Sequence, residues 1–215
     1  MSLKRVSAST VERLSLYLRL LREVEASGTE TVSSRELAWR GGTTAAQVRK
    51  DLSVFGTFGK RGLGYSVPEL RAKLTSILGL ERRWPVAVIG AGKIGSALLG
   101  YADFRRQGFQ IEAVFDTDPA KVGRRWEGGE VSGMDALERI VRERGIEIAI
   151  LAVPASAAQE VLERAVAAGI RGILNFAPTK LEVTGDVTLK NVNMAVELEG
   201  LSYALSRNGE HEGGD

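Results

Sequence analysis

The residues of this chain best placed to do chemistry are Gly90-Ala91-Gly92-Lys93-Ile94-Gly95, a G-x-G-x-x-G run. That spacing suits a phosphate cradle rather than a catalyst. The first glycine permits a tight turn, the second lets backbone approach a pyrophosphate, and the third lets a helix pack closely on a sheet. The N–H groups that open such a helix have no partners of their own and turn to the phosphates. Asp116 follows Gly95 by 21 residues, near the interval at which an acid meets the adenosine ribose of a dinucleotide. Its carboxylate would accept both ribose hydroxyls and repel a 2′-phosphate, which favours NAD(H) over NADP(H). Lys121, Arg124 and Arg125 follow soon after and would favour a phosphate instead. The gaps in the chemistry matter too. The chain has no cysteine and one histidine, His211, in the polar stretch SRNGEHEGGD. Disulfides and thiolate catalysis are excluded, no metal site is expected, and the commonest general acid–base is missing from the folded part.

A cradle needs a strand before it and a helix after it, and both are legible. Val86–Ile89 is a continuous apolar run, as in a strand covered on both faces, and Ala97, Leu98 and Leu99 continue a helix. Further apolar runs at Ile111–Phe115, Ile146–Val153 and Ile170–Leu174 alternate with helical segments. That alternation predicts an α/β domain with a parallel sheet. Ligands of such sheets bind beyond the carboxyl ends of the strands. Ala152-Val153-Pro154 and Asn175-Phe176-Ala177-Pro178 end two of them, so Pro154 and Phe176 are candidates for the nicotinamide side. An apolar ring site there, without a nearby carboxylate, would disfavour the cationic oxidised ring by desolvation.

The first part of the chain reads differently. A helix is expected from about Thr10 to Ala26, with Val11, Leu14, Leu18 and Leu21 at helical spacing and Gly28 as its stop. A short helix, Arg35 to Arg40, and a third from Thr44 follow. Thr44-Ala45-Ala46-Gln47 has the capping-box pattern, and Val48, Leu52 and Phe55 form its buried stripe. Gly59-Lys60-Arg61-Gly62-Leu63-Gly64-Tyr65 predicts a tight, exposed basic hairpin, and Pro68 opens another helix to about Leu78. Residues 1–80 carry 13 Lys/Arg against 7 Asp/Glu, a net of +6, whereas residues 81–215 carry 16 against 20, a net of −4. Three helices and a cationic hairpin with this charge predict a winged helix-turn-helix on DNA. The third helix would then present Thr43, Thr44, Gln47, Arg49 and Lys50, with Ser53 at its end, to the major groove. Gln pairs with adenine, and Arg or Lys with guanine or phosphate. Lys60, Arg61 and Tyr65 would touch backbone or minor groove.

The expected division is a winged-helix DNA-binding domain over 1–80, a Rossmann-like NAD(H)-binding domain over 85–193, a C-terminal helix over 194–207 and a disordered tail over 208–215. The composition is that of a globular protein, 44% hydrophobic and 26% charged. No membrane span and no secretory signal are expected, which points to the cytoplasm.

Several stretches together resemble the Rex family of redox-sensing transcriptional repressors. In the first half these are Val32-Ser33-Ser34-Arg35-Glu36-Leu37, Val48-Arg49-Lys50-Asp51-Leu52-Ser53, Phe55-Gly56, Gly59-Lys60-Arg61-Gly62 and Gly64-Tyr65. In the second half they are Gly90–Gly95, Phe115-Asp116, Lys121-Val122-Gly123, Gly172 to Pro178 and Ala195-Val196-Glu197-Leu198. The resemblance implies a homodimer that exchanges its C-terminal helix, here Met194 to Ser206. It also implies binding to palindromic double-stranded operator DNA, released by NADH and permitted by competing NAD⁺. The family usually has an acid after the valine of its last strand, where this chain reads Asn191-Val192-Asn193-Met194. That acid resembles part of a switch with a tyrosine near the cofactor and an arginine on the first helix, which match Tyr101 and Arg19. Asn193 accepts a hydrogen bond but carries no charge, so a softer coupling is expected here.

Two other classes stay open at this level. A dehydrogenase needs a proton donor near the nicotinamide, and no Tyr-x-x-x-Lys pair is present, although Tyr101 and Lys180 remain candidates. A coenzyme A module shares the fold, but its 3′-phosphate would sit close to the Asp116 carboxylate.

Overall fold

The computed structural model describes residues 6–59 and 62–209. Its contacts divide the chain between Arg82 and Arg83 into two compact units.

The first unit begins with α1 (Ala8–Ala26), capped by Ser7, whose hydroxyl accepts from the Thr10 N–H. Leu14, Tyr17, Leu18, Leu21 and Val24 bury one face of it, because they recur every three to four residues. β1 (Thr31–Val32) leads into α2 (Ser34–Arg40), capped by Ser33, and α3 (Ala45–Ser53), capped by Thr44. β2 (Tyr65–Ser66) pairs antiparallel with β1, setting Tyr65 opposite Val32, and α4 (Val67–Ile77) follows with Pro68 in its first turn. The core of this unit joins Leu14, Leu18 and Leu21 to Leu37, Val48, Leu52, Leu70 and Leu74. β2 pairs with β1, 33 to 35 positions earlier in the chain. That pairing turns Tyr65 inward.

The second unit is a seven-stranded sheet. It contains β3 (Trp84–Ile89), β4 (Phe109–Asp116), β5 (Arg125–Trp126), β6 (Gly129–Gly133), β7 (Ile148–Leu151), β8 (Gly172–Asn175) and β9 (Thr188–Asn191). Their spatial order is β5-β6-β4-β3-β7-β8-β9, and every pair is parallel except β5 with β6. The chain leaves β3 towards β4 on one side and returns to β7 on the other, so the sheet switches direction at β3. Two faces are covered. α7 (Leu137–Glu143) and α8 (Ala155–Ala167) seal one around Ile89, Phe115, Leu151 and Leu162. On the other, α5 (Lys93–Leu99) and α6 (Ala102–Arg106) pack near Val86, Val88, Val114 and Ile150. The β5–β6 hairpin and the edge strand β9 had no readable pattern, because each is short and partly exposed.

α9 (Met194–Gly209) closes the described chain, running past the expected start of a tail at 208. Met194, Val196, Leu198, Leu201, Tyr203 and Leu205 are all exposed on it. Residues 210–215, including His211, lie outside the described residues. Among the described residues, no helix is long and apolar enough to cross a membrane.

Candidate nucleotide cleft and nucleic-acid interface

The glycine run sits where the sheet reverses. The Gly90 N–H donates to the Phe115 carbonyl at 2.7 Å, and the Ala152 N–H donates to the Ile89 carbonyl at 2.8 Å, knitting three strand ends together. Gly90 has φ 104°, a region that L side chains rarely enter, and a Cβ there would run into the Ala152 carbonyl. A Cβ on Gly95 would run into the Gly90 carbonyl, so the third glycine is what lets α5 start against the turn. A Cβ on Gly92 would meet no protein atom. The room it would take belongs to the cleft.

That cleft has a volume of about 510 Å³ and is walled by Gly90, Gly92, Lys93, Ile94, Asp116, Lys121, Met134, Val153, Pro154 and Ala157, among others. Its size falls in the range of small-molecule and cofactor sites. Charged side chains (Lys93, Asp116, Asp118, Lys121) and apolar ones (Met134, Val153, Pro154, Ala157) both line it. Asp116 is 7% exposed and its carboxylate is nearly saturated. Oδ2 accepts from the Ala91 N–H at 2.8 Å and from Lys121 Nζ at 3.0 Å, and Oδ1 accepts from the Asp118 N–H at 2.9 Å. Burial alone would raise this carboxyl; the Asp118 N–H, Lys121 and the Ala91 N–H together outweigh it and hold the group below its usual value. Lys121 is raised in turn, chiefly by its bond to Asp116. The lysine that the sequence offered as a phosphate ligand is thus spent largely on Asp116. A carboxylate has about four lone-pair positions, so one remains for a ribose hydroxyl.

The expected site is brought together in part. Gly90, Gly92, Lys93, Ile94, Asp116 and Pro154 line one cleft, with Ala91 and Gly95 in its frame. Phe176 does not line it. The side chain packs with Val86, Val88 and Ile150 on the α5 side of the sheet, because alternate residues at the end of β8 face opposite ways. The apolar wall in the cleft is instead Met134, Val153, Pro154, Ala157 and Val161. Tyr101 is also off the cleft, edge-on to Phe104 at 5.0 Å, beside a separate hollow of about 200 Å³ that Trp126 helps to line. Asn175 builds the loop after β8. Fully buried, its Oδ1 accepts from the Ala177 N–H, while Nδ2 donates to the carbonyls of Ala177 and Thr179 and to Asn191 Oδ1.

In the first unit, Thr44, Arg49, Lys50 and Ser53 are exposed on or beside α3, and Gln47 is half-buried. Arg49 Nη1 donates to Ser34 Oγ at 3.0 Å, so this cation is laid along the start of α2. Ser53 Oγ donates to the Lys50 carbonyl at 2.8 Å. Tyr65 does not belong to an exposed wing. It is 8% exposed, part of the core, and burial raises its hydroxyl pKa. Lys60 and Arg61 lie outside the described residues. The capping box is also half-formed. The Thr44 hydroxyl accepts from the Gln47 N–H at 3.1 Å, but the Gln47 side chain turns forward to Asp51.

Asp51 was not singled out from the residues themselves, yet it organises this unit. It is 2% exposed and accepts from Arg13 Nε and Nη2 (both 2.7 Å), Tyr17 Oη (3.1 Å) and Gln47 Nε2 (2.8 Å). Burial would raise its carboxyl, but Arg13, Gln47 and Tyr17 hold it below its usual value, and Tyr17 is pushed up to about 12, first by burial and then by Asp51. The available signal was an acid lying between Val48 and Leu52 on the apolar stripe, where a lone charge needs a partner.

Of the proposed switch positions, Arg19 is exposed on α1. Asn193 is exposed at the start of α9, where its Oδ1 accepts from the N–H groups of Ala195 (3.1 Å) and Val196 (3.4 Å). It is a helix cap.

A helix-turn-helix unit followed by a sheet with a dinucleotide cradle defines a ligand-responsive DNA-binding regulator. Residues 5–53 match a family described as a putative DNA-binding protein N-terminus, and residues 81–179 match one described as a CoA binding domain. A redox-sensing transcriptional repressor Rex from Roseiflexus sp. (strain RS-1) is 48% identical over 197 residues, covering 92% of this chain and 90% of the relative. One from Carboxydothermus hydrogenoformans is 48% identical over 203 residues, covering 94% and 98%. The crystal structure of RSP, a Rex-family repressor, superposes with a TM-score of 0.88 at 37% identity, covering 97% of this chain and 98% of that one. RSP in complex with beta-NAD+ and operator DNA gives 0.90 at 38% identity, covering 97% and 96%. RSP with beta-NADH gives 0.86 at 37%, covering 96% and 97%. The chain belongs to the Rex family of redox-sensing transcriptional repressors.

Proposed function

We propose that this chain is a repressor that sits on palindromic operator DNA as a homodimer and leaves it when NADH fills the cleft of the second unit. The observation that carries the reading is the cradle itself, Gly90 to Gly95 with Asp116, in a chain whose other unit is a helix-turn-helix. The residues fit a dinucleotide. Gly92 leaves space for a pyrophosphate at the start of α5, Asp116 keeps one acceptor position for the ribose, and Met134, Val153 and Pro154 offer an apolar wall. What the bound nucleotide supplies is a ring whose charge differs between its two redox states. An apolar wall penalises the cationic form, which favours NADH. The chain is a regulator rather than an enzyme, as its relatives are named. The coenzyme A match covers the second unit alone, whereas the repressors align across both.

The dimer reading rests on apolar surface that one subunit leaves uncovered. α9 exposes Met194, Leu198, Leu201 and Leu205, and Leu174 and Phe176 stay half-buried on the sheet. A partner's α9 exchanged over this surface would cover it. DNA as the partner places the protein's work in the cytoplasm. Coupling between the sites would pass through Arg19, Tyr101 and Asn193 together with the packing of α9.

The test is fluorescence anisotropy on a palindromic duplex from the chain's own promoter region, at fixed salt, with NADH and NAD⁺ titrated separately. Release by NADH at far lower concentration than by NAD⁺ is the expected result. Binding indifferent to both would refute the sensor.

A further inference from the structure

The base end of the dinucleotide can be located from the ribose outward. Asp116 ends β4, and Gly133, which ends β6, stands in register beside it on the next parallel strand. At this pair opens a second hollow, of about 420 Å³. It shares Asp116, Thr117 and Met134 with the cleft and adds Pro119, Val122 and Asp135. A nucleotide with its pyrophosphate at Gly92 and its ribose at Asp116 carries its base one step further along the strand ends, into this hollow. The apolar side chains there come from two segments. Pro119 and Val122 follow β4, and Met134 follows β6. Val122 is 39% exposed, an apolar group left bare that the face of a base would cover.

Asp135 lies in the single 3-10 turn Met134–Ala136. Arg164 Nη2 donates to the Met134 carbonyl at 2.8 Å and pins that turn. The Asp135 side chain folds back over the end of β6, since a Cβ on Gly133 would run into its Oδ1. No hydrogen bond or ion pair among the described residues engages this carboxylate. The neighbouring acids are occupied. Asp116 already accepts three donors, and Asp118 accepts from the Ala120 N–H at 2.9 Å and pairs with Lys121 at 3.7 Å. An ionised carboxylate accepts hydrogen bonds and donates none. Adenine offers one donor group, the amino group on C6, whereas its ring nitrogens only accept. We propose that Asp135 accepts a hydrogen bond from this amino group and so makes the cleft selective for the adenine base of NADH. The inference deepens the reading of the second unit as an NADH site and rests on it.

The probe is the reduced nicotinamide dinucleotide in which unsubstituted purine replaces adenine. It lacks the amino group and gains no donor in exchange. Calorimetry on the full-length chain compares its affinity with that of NADH. Wild type should prefer NADH about tenfold, the scale of one hydrogen bond to a charged group. Asp135→Ala, which removes the acceptor, and Asp135→Lys, which puts a donor in its place, should each bind the two dinucleotides alike. The readout is a ratio, so a general weakening of the site leaves it unmoved. Asp135 is exposed, and a melting curve like that of wild type shows that each variant is folded.

If wild type binds both dinucleotides alike, the amino group meets no acceptor and the inference is wrong. If either variant keeps the preference, another group reads the amino group and the inference is equally wrong. A chain that binds neither dinucleotide overturns the sensor reading and this inference with it, an outcome distinct from both.

Discussion

Single residues at both sites are held by constraints that substitution would expose. Gly95→Ala forces a methyl group against the Gly90 carbonyl, a backbone atom that moves only if the turn moves. Overpacking of this kind costs about 1–3 kcal/mol, so the variant should unfold at lower temperature in a melting scan and bind NADH more weakly by titration. Asp116→Ala removes the proposed ribose acceptor and strands the Ala91 and Asp118 N–H groups and Lys121. Its NADH affinity should fall about tenfold or more, as expected for hydrogen bonds to a charged group, and calorimetry measures this directly. Asp51 yields a pH dependence. Its folded pKa lies below the ordinary 3.8, so the stability it contributes is complete above that value and is lost as pH falls through the lower folded value. The stability advantage of wild type over Asp51→Asn in urea should therefore hold from pH 7 to 5 and narrow below about pH 4. An advantage unchanged at pH 3 would mean that the Arg13 pair contributes no charge-dependent stability.

Among the described elements, α9 leaves the most large apolar side chains exposed. Leu198 and Leu201 are 65% and 60% exposed, and they lie within one turn of each other. If this face is the dimer interface, Leu198→Lys or Leu201→Lys buries a charge without a partner, at a cost of about 3 kcal/mol or more. Sedimentation equilibrium should then show dissociation at concentrations where wild type stays dimeric. Unchanged dimerisation would move the interface elsewhere. The start of the same helix is set by Asn193, whose side chain caps it. Asn193→Asp would keep the cap, so a change in DNA affinity or NADH response would report on coupling and not on a lost helix.

For the whole molecule the claim is thermodynamic. If NADH lowers operator affinity tenfold, about 1.4 kcal/mol of coupling joins the two units, and operator must lower NADH affinity by the same factor. Measuring NADH affinity with and without saturating duplex checks this with a second observable. The charge division, +6 over residues 1–80 against −4 over the rest, assigns the phosphates to the first unit. Operator affinity should accordingly fall steeply with salt while NADH affinity changes little.

Sequence by itself determined what depends on local spacing. The cradle, its strand and helix, the position of Asp116 and the cap at Thr44 all follow from neighbours within a few residues, where backbone geometry and side-chain type are enough. Tertiary structure decided what depends on partners far along the chain. Tyr65 is buried because β2 pairs with β1, and Phe176, one residue past β8, packs on the α5 side of the sheet and not in the cleft. Asp51 is an anchor because Arg13, 38 positions away, reaches it across the packing of α1 on α3. A charge on an apolar stripe shows that some partner must exist. Only the folded chain shows which one, because that choice is made by the packing of helices whose order along the sequence says nothing about their contact.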